Sequence, residues 1–270
     1  MFLVDAHCHI NSTQLRKNVS SVISRAAGAG VKRMLTVGYN LRNSAEAAEL
    51  AAKYGTGGVY ATAGVHPHDA ATVAGGLPDE LLKLAEAPGV VAVGETGLDY
   101  YRDLSPRDVQ RKVFRMHIDW ALEAKKPLII HVRNPDGNSL AMDETLKILD
   151  LVPDKPILMF HCYAGGLRYK NAMKKLDAYI SIAGPITWPN KGDELKAVAS
   201  AFPKERILCE TDAPWLSPQP YRGKLNEPAY VRFVYEAIAQ ARHLALDDLA
   251  RAVDANASRF FGWQAIYVRV

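Results

Sequence analysis

Phe2-Leu3-Val4-Asp5-Ala6-His7-Cys8-His9 decides how the rest of the chain is read. Three apolar residues lead into two imidazoles and polar Asn11 and Ser12 follow, so the stretch reads as a short buried strand ending at a site. Residues two apart on a strand share a face. His7 and His9 therefore point the same way with Asp5 beneath them, an arrangement suited to one divalent cation with a carboxylate behind an imidazole. One such pair is as readily an ordinary core pair. Its meaning depends on whether other strands bring partners to equivalent places.

Outward from this stretch, an apolar strand followed by a helix recurs. Residues 14–29 read as a helix that Gly28 and Gly30 end. Further strands are expected at 33–39, 59–65, 90–94, 127–132, 156–161, 178–183 and 206–211. Helices are expected near 43–54, 78–86, 106–125, 139–151, 166–176, 191–201, 228–243 and 247–259. Eight short strands alternating with helices, with no linker or break in composition, predict an α/β fold. The expectation is a single (β/α)8 TIM-type barrel over 1–270, its site at the C-terminal ends of the strands. An open doubly wound sheet is the alternative, but it would gather polar residues at one crevice. Here they close many different strands.

With 49% hydrophobic and 23% charged residues, the composition is that of an ordinary globular chain. It has no membrane-length apolar run and no basic-then-apolar leader, so a cytoplasmic protein without membrane contact is expected. Cys8, Cys162 and Cys209 are odd in number and lack metal-finger spacing, which argues against a disulfide framework. Cys8 and Cys162 alternate away from their neighbouring histidines and read as small packing residues. A net charge of +4 permits an anionic substrate without demanding one.

The ends of the strands carry the chemistry. Glu95, His131, His161 and Asp212 stand where apolar runs meet their loops, and buried charges persist only when paired or coordinated. Together with His7 and His9 they exceed what one tetrahedral metal with an open position needs, and they suit two metals sharing a carboxylate. The assignment is His7, His9 and Asp212 to one metal, His131 and His161 to the other, and Glu95 as the bridge. Mixed nitrogen and oxygen donors point to Zn²⁺, Mn²⁺ or Mg²⁺ without separating them. Glu210 shares a strand face with Asp212 and either backs the site or pairs with a buried lysine or arginine. His117, within a helix, and His243, near a helix end, read as surface or packing residues.

The motifs Asp5-Ala6-His7-Cys8-His9, Gly64-Val65-His66-Pro67-His68, Gly94-Glu95-Thr96-Gly97-Leu98-Asp99-Tyr100-Tyr101, Glu210-Thr211-Asp212-Ala213-Pro214-Trp215-Leu216 and Pro220-Tyr221-Arg222-Gly223-Lys224-Leu225-Asn226-Glu227-Pro228 span nearly the whole chain. By these motifs it closely resembles the TatD family of metal-dependent deoxyribonucleases, within the amidohydrolase superfamily. The resemblance implies a TIM-type barrel, two divalent metals held by the six residues above, and hydrolysis of DNA phosphodiesters, often from the 3′ end of single strands. The chain departs from the family at Leu225, where a second basic residue is frequent, at Ala164, where serine is frequent, and in a longer segment at 134–142. These departures bear on substrate grip more than on metal chemistry.

The mechanism expected on this basis is in-line attack on phosphorus by a hydroxide held by the metals. Asp212 and Glu95 are the catalytic carboxylates, with Asp212 the proton acceptor. Arg222, Lys224, Arg133 and His66 are expected to hold substrate phosphates, and Tyr100, Tyr101 or Trp215 to stack on bases or simply pack. The rivals are a metal-dependent amidase, lactonase or phosphotriesterase on the same barrel, and a non-catalytic nucleic-acid-binding protein. No obligate protein partner is evident.

Overall fold

A computed structural model describes residues 1–264 and Ile266. Eight parallel strands follow one another around a nearly closed barrel in chain order: β1 (Leu3–Cys8), β2 (Val31–Thr36), β3 (Val59–Ala63), β4 (Val90–Asp99), β5 (Leu128–Arg133), β6 (Leu158–Phe160), β7 (Tyr179–Ile182) and β8 (Ile207–Cys209). Helices cover the outside, so the strands are buried on both faces and read as almost continuous apolar runs. Every residue of β1 and of β7 is buried, including Asp5 and His7. The expected barrel is the observed fold.

The seam between the first strand and the last is closed by main-chain and side-chain bonds. Asp212 donates its N–H to His7 O at 2.9 Å, and His9 donates its N–H to Ala213 O at 2.6 Å. Asp5 is not behind an imidazole, as expected from sequence. Its carboxylate accepts the Thr211 N–H at 2.9 Å and the Thr211 hydroxyl at 2.6 Å, tying β1 to the segment after β8. The alternation of the strand was read correctly, but the partner lies 206 residues away and no local pattern announces it.

Two element boundaries differ from expectation. The helix expected over 14–29 is two helices, Thr13–Arg16 and Val19–Gly28, because Asn18 leaves helical geometry and starts a new turn, a role that suits asparagine. Gly30, at φ 90°, ends the second as expected. β4 does not stop at Gly94 but runs on to Asp99, with a register irregularity between Val93 and Thr96 and then Gly97 paired with His131 and Asp99 with Arg133. Glycine was taken as a stop signal, yet within a strand it marks an irregular step where a backbone must pass closely. A side chain at Gly97 would put its Cβ 2.0 Å from His131 O, and Gly97 sits at φ 140°.

The long helix Arg107–Glu123 buries Gln110, Val113, Phe114, His117, Ile118 and Ala121, a stripe at helical spacing turned toward the barrel. His117 on that stripe is no surface residue. Its Nε2 accepts the Val65 N–H at 3.0 Å and its Nδ1 donates to Val113 O at 2.8 Å. Among the described residues no helix is long and apolar enough to cross a membrane.

Candidate metal centre

The polar residues that close the strands converge at the C-terminal mouth of the barrel. His7 and His9, at the end of β1, hold their Nε2 atoms 3.1 Å apart. Asp212 Oδ1 lies 3.3 Å from His9 Nε2 and 3.7 Å from His7 Nε2. Glu95 reaches both halves of the cluster: Oε2 is 3.4 Å from His7 Nε2 and 2.9 Å from His161 Nε2, while Oε1 is 4.0 Å from His9 Nε2. His131 Nδ1 lies 3.0 Å from His161 Nε2. All six residues expected from sequence therefore meet in one place, in two groups with Glu95 between them.

The chain reaches this geometry through residues that tolerate unusual backbone. Gly94 stands at φ 125°, where a Cβ would fall 2.6 Å from Ile129 O, so only glycine lets β4 press against β5 and deliver Glu95. Asp212 sits at φ 54°, in the left-handed region that Asp enters more readily than most residues.

Hydrogen-bond partners decide what each imidazole offers. His9 Nδ1 is 3.1 Å from Val37 O, which only accepts, so the proton is on Nδ1 and Nε2 turns a lone pair to the cluster. His66 is the reverse. Its Nδ1 accepts the His68 N–H at 3.1 Å, which leaves the proton on Nε2, 3.8 Å from Glu95 Oε1. Burial first, then His131, keeps His66 well below its ordinary imidazole value, so it is neutral and offers a donor. His66, Asp99 and His131 also bring donor atoms within 4.8 Å of one another. With the His66 Nε2 proton turned that way, this third group is not a metal site.

The electrostatics of the main cluster favour added positive charge. Burial pushes Glu95 up, but His161, His66 and His7 together outweigh it and hold the carboxyl well below its ordinary value. Burial pushes His9 down, yet Asp212 and Glu95 raise it overall. His161 is raised in the same way against its burial, by Glu95 and Glu210. Glu95 Oε2 and His7 Nδ1 are buried without a directed hydrogen bond. Donor pairs at 3.0–3.7 Å approach the edge of a tetrahedron built on metal bonds of about 2.0–2.2 Å, which is about 3.3–3.6 Å. Close, buried, partly orphaned acceptors of this kind fit divalent cations.

The rim is cationic and aromatic. The Arg133 guanidinium lies 3.9 Å over the Tyr101 ring, and the Arg222 guanidinium 4.3 Å over Trp188. Among the described residues neither has a carboxylate within ion-pair distance. Lys224 is exposed on the same loop as Arg222. Trp215 is 45% exposed and meets the edge of His9 at 5.0 Å between ring centroids, so one face is free. Tyr100 is buried and donates to Glu144 Oε2 at 2.5 Å, which makes it a packing residue and removes it from any stacking role.

Three polar residues of the mouth were left unassigned by sequence. Glu210 accepts the Cys162 N–H at 2.8 Å and lies 3.5 Å from His161 Nδ1, with no buried lysine or arginine beside it among the described residues. Asp99 Oδ2 faces His68 Nε2 at 2.8 Å and His131 Nε2 at 3.3 Å. Burial pushes Asp99 up, but the His131 and His68 bonds outweigh it and the carboxyl is held far below its ordinary value. The signal that could have found Asp99 is a polar residue closing a strand, and it was masked by the early stop given to β4. Cys8 donates to Leu35 O at 3.1 Å and Cys209 is buried, so both pack as expected.

A barrel that collects four imidazoles and two carboxylates at the C-terminal ends of its strands defines the class of metal-dependent barrel hydrolases. Residues 4–262 match the family model described as TatD related DNase, and the chain belongs to that family. It is 35% identical over 260 residues to an uncharacterized metal-dependent hydrolase, YabD, of Bacillus subtilis, covering 96% of this chain and 98% of that one. It is 35% identical over 264 residues to the 3′-5′ ssDNA/RNA exonuclease TatD of Salmonella typhimurium, with 96% and 98% covered. Among solved structures it matches YjjV, a TatD homologue from Escherichia coli, with a TM-score of 0.84 and 26% identity over 97% of this chain and 98% of that chain. The protein is a metal-dependent hydrolase acting on ester bonds.

Proposed function

We propose that the protein is a deoxyribonuclease that removes nucleotides from the 3′ end of single-stranded DNA, with two divalent cations at the mouth of the barrel. The observation that carries the substrate reading is the rim: two guanidiniums laid on aromatic rings without carboxylate partners among the described residues, beside a half-exposed tryptophan. Stacked arginine keeps its fork of donors free for phosphate oxygens, and exposed aromatic faces suit unpaired bases. The activity named for the Salmonella relative supports the same reading.

In this reading His7, His9 and Asp212 hold one cation, His131 and His161 hold the other, and Glu95 is shared. Bound there, Zn²⁺, Mn²⁺ or Mg²⁺ would acidify water toward neutrality and offset charge on the phosphate oxygens. Asp212 is less buried than the imidazoles and accepts the proton of the attacking water on a carboxylate oxygen. His66 donates its Nε2 proton to a phosphate oxygen. Arg133, Arg222 and Lys224 hold the flanking phosphates, and Trp215 takes a base on its free face.

The test is degradation of end-labelled single-stranded DNA set beside a lactone panel and a phosphotriester, each with Mg²⁺, Mn²⁺, Zn²⁺ or chelator. The expected result is metal-dependent release of mononucleotides from the 3′ end, with little turnover of the neutral esters. Preferred turnover of a lactone or phosphotriester would replace the nuclease reading. In the same assay Arg222→Ala raises KM about tenfold with kcat nearly kept, and lowers the salt slope of binding by about one. An unchanged KM and slope would remove Arg222 from phosphate binding.

A further inference from the structure

We propose that Asp99 is a positioning residue that fixes which ring nitrogen of His131 faces the metal centre. This rests on the two-cation reading above. His7, His9 and His161 all turn Nε2 toward the cluster, whereas His131 turns Nδ1, 3.0 Å from His161 Nε2. What stands on the far side of the His131 ring therefore decides whether that Nδ1 carries a lone pair or a proton. Asp99 Oδ2 stands there, at 3.3 Å from Nε2.

The carboxylate is held so that it cannot turn away. Asp99 is 1% exposed, at the last position of β4, opposite Arg133 of β5. Its Oδ1 accepts the N–H groups of Tyr101 at 3.0 Å and Arg102 at 2.8 Å, and its own N–H is bonded to Gln110 Oε1 at 2.9 Å. Oδ2 is left to His68 and His131 alone. A carboxylate only accepts, so a neutral His131 must carry its proton on Nε2 and leave the lone pair on Nδ1. Partners on the outer nitrogen of a metal-binding imidazole orient the ring and raise its basicity. Here the same atom also ties in His68, which couples the loop after β3 to the metal ligand on β5.

The decisive variant is Asp99→Asn. Two main-chain N–H groups need an acceptor, so the amide oxygen takes the place of Oδ1 and the amide nitrogen takes the place of Oδ2. A donor then faces His131, which can meet it only with a lone pair on Nε2. The proton moves to Nδ1 and points into the cluster. The experiment is nitrogen NMR of metal-free protein labelled in its imidazoles, at a pH about two units above the ordinary histidine value, with His131 assigned from its loss in His131→Asn. Wild type is expected to show His131 protonated on Nε2, and Asp99→Asn to show it protonated on Nδ1. Calorimetric titration with Mn²⁺ should show one of two binding events weakened about 10–100-fold in Asp99→Asn and the other unchanged. His68→Ala, which removes the other partner of Oδ2, should keep the wild-type proton position.

A wild-type His131 protonated on Nδ1 overturns the proposal before any variant is made. So does Asp99→Asn with the wild-type proton position and both Mn²⁺ events at wild-type affinity. Wild-type protein that takes up a single Mn²⁺ contradicts the two-cation reading instead, and the NMR result still decides the role of Asp99.

Discussion

Glu95→Ala is expected to lose bound metal and turnover together. No other side chain of the mouth approaches both halves of the cluster, with Oε2 3.4 Å from His7 and 2.9 Å from His161 and Oε1 4.0 Å from His9. Removing it leaves imidazoles facing one another with no shared charge between them, and it removes the carboxylate that would neutralise two nearby cations. Partners one step removed from a metal are worth about 10–100-fold in affinity or activity, so a shared ligand is worth more than about 100-fold. Metal analysis after dialysis should show the variant retaining less than one cation per chain, and kcat below about one per cent of wild type. A variant with full metal content and turnover would show that Glu95 is a bystander.

His117→Ala is expected to be among the most destabilising changes outside the site, although a histidine inside a helix gives no such warning in sequence. The ring is fully buried and holds the Val65 N–H just before His66. Truncation leaves that N–H unpaired and opens a cavity, at a cost of about 3–5 kcal/mol. The same residue makes stability depend on pH. Burial, with only partial relief from Val113, lowers its pKa from 6.5 to about 4. Between those values the unfolded chain binds a proton that the folded chain refuses. This contribution is therefore fully present above about pH 6.5 and is lost as pH falls toward 4, by up to about 3 kcal/mol. Urea melts of chelator-treated wild type and His117→Gln across that window should differ in slope, the variant lacking this share of the acid loss. Equal slopes would mean that His117 is not buried as a neutral ring.

The barrel was legible because its signals are local: apolar runs of strand length, helical spacing between them, and polar residues closing each run. The six clustered residues were legible for the same reason, since a buried carboxylate or imidazole at a strand end asks for a partner wherever the partner is. What could not be read is which partner answers. Asp5 looked like support for His7, but the structure gives it to Thr211 across the barrel seam. His66 and His131 are the same residue type at equivalent strand ends. One presents a proton and the other a lone pair, because a main-chain N–H stands behind the first and Asp99 behind the second. β4 was ended five residues early because Gly94 reads as a turn, although its function is close approach to β5. Each error concerns a contact between elements distant in sequence.

The central claim, paired cations at the mouth with Glu95 between them, is tested most directly by anomalous scattering from crystals soaked in Mn²⁺. Two peaks are predicted, one against His7, His9 and Asp212 and the other against His131 and His161, both touching Glu95. A single peak, or density beside His66 and Asp99 with Glu95 unliganded, would contradict it.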